Sequence, residues 1–318
     1  MPGIVLLFLL LRNCYSFSLF GSIDPNKVKE AIAWNTNQSK IMYFPLPPEV
    51  VQDKEAERWT AYNEEPQLRG IAYGNGTAKV IIVGNSYGYR TYPLLLKLFR
   101  GRYKEFRLFA HSSASIIGTD NNPQFSKAFE MVLERMKPDI SFIIAKDVDY
   151  TLFGKIHVPI DQDPTMVNAQ KRLDIFNKHS RHVALDYQLF TPELKEGTAI
   201  TIADRFSRGD YILDDLKTTF EHYAAKHINE TKRSDHLRGP SLIRHRIEKE
   251  MCDNGTCYFY DRDTYHAYYG DLEGHPTPAM LLRLTSAYAR IVEKLLRRHE
   301  KSFQQRPNGR SGNHAVAE

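Results

Sequence analysis

Ser86 is the residue that the sequence context best suits to act as a nucleophile. Residues 79–84 form a short, β-branched apolar run that ends in glycine, which is typical of a strand buried on both faces. Gly84 permits a tight turn after that strand. Asn85 and Ser86 follow, and the amides at the start of a helix beginning there can donate to a developing oxyanion. A plain helix cap is the alternative role for Ser86.

A serine hydroxyl needs a base, and His275 is the candidate. It lies in segment 271–278, immediately before the last predicted helix, whose start is marked by Thr277 and Pro278. A histidine at the mouth of that helix can reach across the carboxyl ends of the strands. The alternative is an ordinary histidine on a surface loop.

Alternating strand and helix patterns would bring these two residues together. Apolar runs predict strands at 79–84, 106–110, 140–145 and 182–189, and apolar stripes predict helices at 92–99, 124–136, 168–178 and from 277 onward. Such alternation predicts a three-layer αβα sandwich with a central parallel sheet, whose active groups gather at the carboxyl ends of its strands. We also predict helices at 209–226 and 239–250 and a short strand at 257–260. Residues 21–70 are interpreted as an N-terminal extension, 71–300 as the domain, and 301–318 as a disordered tail.

Composition gives few signs of a charged partner. The chain has 318 residues and a formal net charge of +5, but its basic residues are mixed with acidic ones. We therefore expect no nucleic-acid partner, and the sequence suggests no metal or cofactor. Residues 4–11 are an apolar run too short to span a bilayer. We interpret residues 1–20 as a signal peptide, or as the remnant of a membrane anchor.

Cysteines and glycosylation motifs favour an oxidising compartment. Cys252 and Cys257 bracket Asp-Asn-Gly-Thr, a turn-forming sequence that can bring two thiols within bonding distance. A metal-binding pair is the alternative, although no second pair of ligands accompanies it. Sequons for N-glycosylation occur at Asn37, Asn75, Asn229 and Asn254. Together these features predict the lumen of the secretory pathway or the cell exterior, and attachment to a membrane is the alternative.

The blocks VIIVGNSY at 80–87, KPDISFII at 137–144 and the segment 271–275 resemble the SGNH hydrolase superfamily over roughly residues 70–300. They are most similar to the luminal SGNH domain of invertebrate acyltransferase-3 membrane proteins. The resemblance implies that Ser86 attacks an ester or thioester carbonyl while His275 accepts its proton. It also implies oxyanion donors at the Ser86 amide and at Gly118. The implied partners are an acyl donor, a hydroxylated acceptor such as a glycan, and a separate membrane acyltransferase.

Several positions depart from the family pattern. Asn85 stands where an aspartate is usual, and Leu272 occupies the position three residues before the histidine where the third catalytic residue is usual. Asp271 is one residue too early, so it orients His275 only if the loop bulges, and Glu273 is the alternative. Lys146 and Asp147 replace a Gly-x-Asn-Asp block. Lys146 either helps to stabilise charge or is an ordinary solvated lysine.

Two functional hypotheses follow from these features. The first is a serine-dependent O-acyltransferase or acyl esterase that uses Ser86, His275 and Asp271. The second is a catalytically inactive SGNH-like domain that binds a ligand at the same edge of the sheet. A flavodoxin-like domain for nucleotides or flavins is a third class, but the turn at 84–88 lacks the glycine spacing of a dinucleotide fingerprint or P-loop.

Overall fold

The computed structural model describes residues 24–62, 67–146, 151–187, 189 and 194–304, and within them six strands form one mixed sheet. The strands in chain order are β1 (Gln67–Tyr73), β2 (Ala78–Gly84), β3 (Tyr103–His111), β4 (Ile140–Ile144), β5 (His182–Asp186), β6 (Lys217–Thr219), β7 (Leu242–His245), β8 (Cys252–Asp253) and β9 (Thr256–Tyr258). The main sheet has the spatial order β1-β3-β2-β4-β5-β7, and β6, β9 and β8 form a small second sheet. Strands β3, β2, β4, β5 and β7 run parallel, whereas β1 is antiparallel to β3.

Helices cover both faces of the main sheet. They are α1 (Pro25–Gln38), α2 (Lys54–Thr60), α3 (Ser86–Leu98), α4 (Pro123–Met136), α5 (Pro164–His179), α6 (Thr198–Ser207), α7 (Phe220–Lys226), α8 (Ile228–His236) and α9 (Pro278–Gln304). A hydrophobic core lies on each face of the sheet, and alternate residues of β2 point into one or the other. Val80 and Ile82 pack with α3 and α9, and Ile81 and Val83 pack with α2, α4 and α5. This alternation is the period-2 geometry of a strand that is covered on both sides.

The predicted three-layer α/β architecture with a central parallel sheet is confirmed, and β1 adds an antiparallel edge strand that we did not predict. This strand lies at the edge of the sheet and mixes polar with apolar residues, so it lacks the continuous apolar run that marked the central strands. The predicted boundary between extension and domain at residues 70 and 71 falls inside β1. Before α2, Val51 forms an antiparallel backbone bridge with Ile71 of β1.

Three predicted helices have other bounds or another structure. The helix predicted at 92–99 begins at Ser86, so Pro93 lies inside it rather than at its start. The helix predicted at 209–226 is replaced by a 3-10 turn, the strand β6 and the short helix α7. The stretch 239–250 contains the parallel strand β7, whose four residues are too few to give a clear periodicity.

The ends of the chain were only partly predictable. Helix α9 continues to Gln304, so residues 301–304 of the predicted tail are helical. The predicted leader at 1–20 and the rest of the tail, from 305, lie outside the described residues. Among the residues that the structure does describe, no helix is both long and apolar enough to cross a membrane.

The two cysteines form a disulfide, as predicted, across a tight hairpin. Cys252 on β8 pairs with Cys257 on β9, and Asn254 and Gly255 form the two-residue turn between them, both with positive φ angles of 49° and 82°. An Asn-Gly pair is the sequence that this kind of hairpin turn favours. The same turn displays one of the four sequons, because Asn254 is exposed.

A buried ion cluster attaches the segment before β1 to the sheet. Arg107 on β3 is almost fully buried and contacts both carboxylate oxygens of Asp53 at 2.7 Å, with Glu55 and Glu105 at 2.5 and 3.0 Å. The Trp59 ring lies 4.7 Å from its guanidinium. Because Asp53 also caps α2, one arginine fixes the position of that helix on β3.

We expect Arg107→Ala to lower the free energy of unfolding by about 3–5 kcal/mol, because it leaves the buried Asp53 carboxylate unpaired. Urea denaturation followed by circular dichroism measures this. Arg208→Ala is the control, since Arg208 and Asp204 form a pair whose side chains are 67% and 50% exposed. That change should cost no more than about 1 kcal/mol. Equal losses in the two variants would contradict a stabilising role for the buried cluster.

Candidate active site

The turn between β2 and α3 leaves no room for a side chain at Gly84. A Cβ atom there would lie 2.1 Å from the carbonyl oxygen of Ile144 on the neighbouring strand, since the two residues are paired in register. Only glycine fits so close to another backbone. The chain can therefore leave the sheet abruptly and place Ser86 at the first turn of α3, at the carboxyl edge of the sheet.

Asn85 fixes this turn to its surroundings. It is fully buried and caps α3 by accepting a hydrogen bond from the Tyr87 amide at 3.1 Å. Its side-chain nitrogen donates to the carbonyls of Lys146, at 2.8 Å, and Ala114, at 3.3 Å. An ionised aspartate could not donate to these carbonyls, so the asparagine suits this position where an aspartate was expected.

Ser86, His275 and Asp271 form one row of hydrogen-bonded side chains. The Nε2 atom of His275 lies 2.7 Å from the Ser86 hydroxyl, and its Nδ1 atom lies 2.7 Å from a carboxylate oxygen of Asp271. Ser86 and His275 are buried, with 7% and 5% of their surfaces exposed. The residues that we predicted to act together therefore lie together, at the distances that a nucleophile, a base and an orienting carboxylate require.

A bulge in the loop compensates for the early position of Asp271. Gly274 has a φ angle of +77°, and its amide donates to the Asp271 carbonyl at 3.2 Å. This turn brings the His275 amide within 3.1 Å of the other Asp271 carboxylate oxygen. The alternative partner, Glu273, is 79% exposed and lies 3.9 Å from Nε2, the nitrogen that faces Ser86. Asp271 is thus the carboxylate that contacts Nδ1.

The surroundings keep Asp271 ionised. Burial alone would raise the pKa of this carboxyl, but hydrogen bonds from the ring and amide of His275 and the charge of Arg90 outweigh that effect, so the pKa lies below its ordinary value. The Asp271 carboxylate can therefore hold the Nδ1 proton of His275 across the neutral pH range, which leaves Nε2 free to accept the proton of Ser86.

Two side chains hold the loop that carries His275. The Tyr87 hydroxyl lies 2.6 Å from the Gly274 carbonyl and 3.1 Å from that of Glu273, and Lys146 donates to the Glu273 carbonyl at 2.7 Å. Burial lowers the pKa of Lys146, and the nearby charges of Glu273 and Asp271 oppose that shift. Lys146 is half-buried, and its hydrogen bond connects the end of β4 to the loop that carries His275. Sequence reasoning did not find the role of Tyr87, because a backbone carbonyl acceptor leaves no mark in the residue types.

Gly118 is less clearly connected to this cluster. Its φ angle is +118° and its carbonyl accepts a hydrogen bond from Asn168 at 2.5 Å. Among the contacts of the described residues, none joins Gly118 to Ser86. Its assignment as an oxyanion donor stays a prediction. The Ser86 amide lies at the first turn of α3, where amides have no acceptor within the helix.

Comparison with known proteins agrees with this architecture. The profile of the SGNH domain, described as fused to AT3 domains, matches residues 54–290. The chain belongs to this family of SGNH domains. A search of curated proteins found no match.

Solved structures with some similarity include two bacterial enzymes that act on acyl groups. The acetylxylan esterase Axe2 from Geobacillus stearothermophilus is 11% identical, with a TM-score of 0.34, over 68% of this chain and 94% of the esterase. The C-terminal catalytic domain of peptidoglycan O-acetyltransferase A from Streptococcus pneumoniae is 11% identical, with a TM-score of 0.29, over 72% and 97% of the two chains.

We expect Asp271→Asn to lower the free energy of unfolding by about 2 kcal/mol at pH 7, the usual contribution of a hydrogen bond to a charged group. Because the pKa of Asp271 is depressed in the folded protein, this contribution is present above the unfolded pKa, about 3.9, and is lost as the pH falls through the folded value. Urea denaturation at pH values from 7 to 3 measures it. Glu273→Gln should change little at any pH, and an equal loss there would contradict the assignment of Asp271 as the partner.

Proposed function

We propose that the protein is a serine-dependent O-acyltransferase or acyl esterase in which Ser86 is the nucleophile, His275 the base and Asp271 the residue that orients the base. The row of two 2.7 Å contacts from Ser86 through His275 to Asp271 is the observation that carries this proposal. Membership of the SGNH family supports the same chemistry. A buried serine that only caps a helix would not require a histidine and a carboxylate aligned behind it.

The geometry accounts for each proton in an acyl transfer. Ser86 Oγ forms a bond to the carbonyl carbon of an ester or thioester as its proton moves to His275 Nε2. The tetrahedral intermediate then collapses, and the leaving oxygen or sulfur takes the proton from Nε2. In the second half-reaction the oxygen of an acceptor hydroxyl or water attacks the acyl carbon as its proton moves to Nε2. The bond from the acyl carbon to Ser86 Oγ then breaks, and Oγ takes the proton back from Nε2. Asp271 stabilises the transient imidazolium through Nδ1.

The developing oxyanion has one well-placed donor in this proposal. The Ser86 amide is the first amide of a 13-residue helix, where the helix dipole also favours negative charge. Asn85 accepts from the next amide, that of Tyr87, and so leaves the Ser86 amide to the substrate. We retain Gly118 as the second donor in the proposal.

The acceptor is proposed to be a glycan or another molecule with a free hydroxyl group, and the acyl donor to come from a membrane acyltransferase. The support is the family itself, whose SGNH domain is described as fused to AT3 domains. In this proposal the chain acts in the lumen of the secretory pathway or outside the cell. The disulfide between Cys252 and Cys257 is consistent with an oxidising compartment.

Labelling with a fluorophosphonate tests the nucleophile. The parent protein should be labelled covalently, Ser86→Ala should abolish labelling, and His275→Ala should slow it by roughly 100-fold or more, the usual contribution of a general base. Ser141→Ala is the matched control, because Ser141 is also buried but its hydroxyl contacts Ser180 at 2.7 Å rather than a histidine. It should be labelled as fast as the parent. A folded parent that resists labelling would instead indicate a binding domain without catalysis.

The sequons allow a test of the proposed compartment. Asn37, Asn75 and Asn254 are exposed, whereas Asn229 is half-buried and its side-chain nitrogen donates to the Phe153 carbonyl at 3.3 Å. We expect glycans on the three exposed residues when the full chain is expressed in a eukaryotic secretory host, and lower occupancy at Asn229. Peptide mass spectrometry measures the occupancy of each site. A secreted protein that carries no glycan at any exposed sequon would contradict the prediction.

A further inference from the structure

Arg90 is a buried arginine that none of the steps above uses. It lies on α3, one helical turn after Ser86, and its side chain is fully buried. Its guanidinium donates to three backbone carbonyls, those of Pro276 at 3.1 Å, Ile41 at 2.7 Å and Met42 at 2.6 Å. The first of these carbonyls belongs to the residue directly after His275. The other two belong to a segment far earlier in the chain.

That earlier segment, residues 24–46, is called the N-terminal arm here. It lies outside the region matched by the SGNH profile, which begins at residue 54. The arm nevertheless contacts α3 at several points. The ring of Phe44 lies 4.6 Å from the Arg90 guanidinium, and the Phe44 carbonyl accepts a hydrogen bond from the Tyr89 hydroxyl at 2.6 Å.

The arm also contacts the chain around the loop that carries His275, residues 270–277, called the histidine loop here. Asn35 is fully buried, donates to the Tyr265 carbonyl and accepts from the Ala267 amide, both at 2.9 Å. A Cβ atom on Gly270 would lie 3.0 Å from the carbonyl oxygen of Gln38, so the arm lies directly against the residue before Asp271. The arm therefore packs against both sides of the site, the nucleophile helix and the histidine loop.

Arg90 is the one side chain described above that contacts the arm and the loop together. A guanidinium has five donors in a fixed plane, so it can hold carbonyls from both segments at once. Its charge faces Asp271, Tyr87, Tyr43 and Tyr89, and burial lowers its pKa while Asp271 partly offsets the shift. Without the two arm carbonyls, buried donors of Arg90 would lose their acceptors. The guanidinium would then move to find other acceptors, and its hydrogen bond to the Pro276 carbonyl would be lost.

We propose that Arg90 is a positioning residue which uses the N-terminal arm as a support to hold the His275 loop against Ser86. In this proposal the arm supports the active site although it lies outside residues 54–290, the part of the chain that matches the SGNH family. This inference depends on the proposed function only for its catalytic consequence, since the fixed position of the loop can be measured by itself.

Arg90→Lys and Arg107→Lys form a matched pair of variants for the test. Each keeps the positive charge of a buried arginine that connects residues before β1 to the core, but only Arg90 contacts the histidine loop. Hydrogen exchange of the full chain, followed by mass spectrometry, reports on the amides of 270–275. Three of these amides are bonded within the loop, those of Gly270, Gly274 and His275.

We expect Arg90→Lys to speed exchange in 270–275 by at least 10-fold and to lower the maximal rate of fluorophosphonate inactivation by roughly 10- to 100-fold, since small displacements of reacting groups have effects of that size. The concentration of probe giving half-maximal rate should not change, because binding is not altered. Arg107→Lys should leave both the loop exchange and the inactivation rate at the parent values, even if it unfolds at lower urea.

Phe44→Ala keeps the test decisive if Arg90→Lys does not fold. Phe44 is half-buried and lies outside the loop and α3, so its loss should be tolerated, yet it removes the ring that covers the Arg90 guanidinium. It should produce the same two changes to a smaller degree, about three- to tenfold. The proposal would be overturned if a folded Arg90→Lys or Phe44→Ala variant exchanged the amides of 270–275, and reacted with the fluorophosphonate, at the same rates as the parent. A parent that is not labelled would refute the proposed function, while the exchange data would still decide whether Arg90 and the arm hold the loop.

Discussion

The close approach of β2 and β4 at Gly84 is the constraint on which the site depends. Parallel pairing brings the ends of both strands to one edge of the sheet. At that edge the Ile144 carbonyl occupies the space that a Cβ atom at residue 84 would need, so only a glycine lets the strands come this close. Asn85 then joins the ends of three segments by its side-chain amide. Once these contacts exist, Ser86 has a fixed position, and the remaining structure must bring a base to it.

The central part of this architecture could be read from the sequence. The strands around 80–84 and 140–144 are continuous apolar runs because both of their faces are covered, and such runs stand out from their polar flanks. Ser86 was placed by the end of the strand at 79–84, and His275 by the start of the last helix. The disulfide followed from a turn sequence that favours a single hairpin geometry.

Other elements gave no comparable signal. β1 and β7 lie at the edges of the main sheet, and each mixes buried with more exposed side chains, so neither sequence has the continuous apolar run of a central strand. The bulge that lets Asp271 reach His275 depends on the positive φ angle of Gly274, which a glycine permits but does not require. Tyr87, Arg90 and Lys146 all donate to backbone carbonyls of the histidine loop. Such contacts cannot be predicted from residue types, because every residue has a carbonyl.

The bridge between Val51 and Ile71 has a consequence for the behaviour of the protein in solution. An edge strand offers unpaired amides and carbonyls to strands of other molecules, which is a common route to aggregation. Val51 exchanges two hydrogen bonds with Ile71, at 2.8 and 2.9 Å, and so occupies the backbone groups at the centre of β1. Its side chain is 54% exposed and adds little to the core. The bridge to Val51 therefore leaves fewer backbone groups of β1 open to pairing with a strand of another molecule.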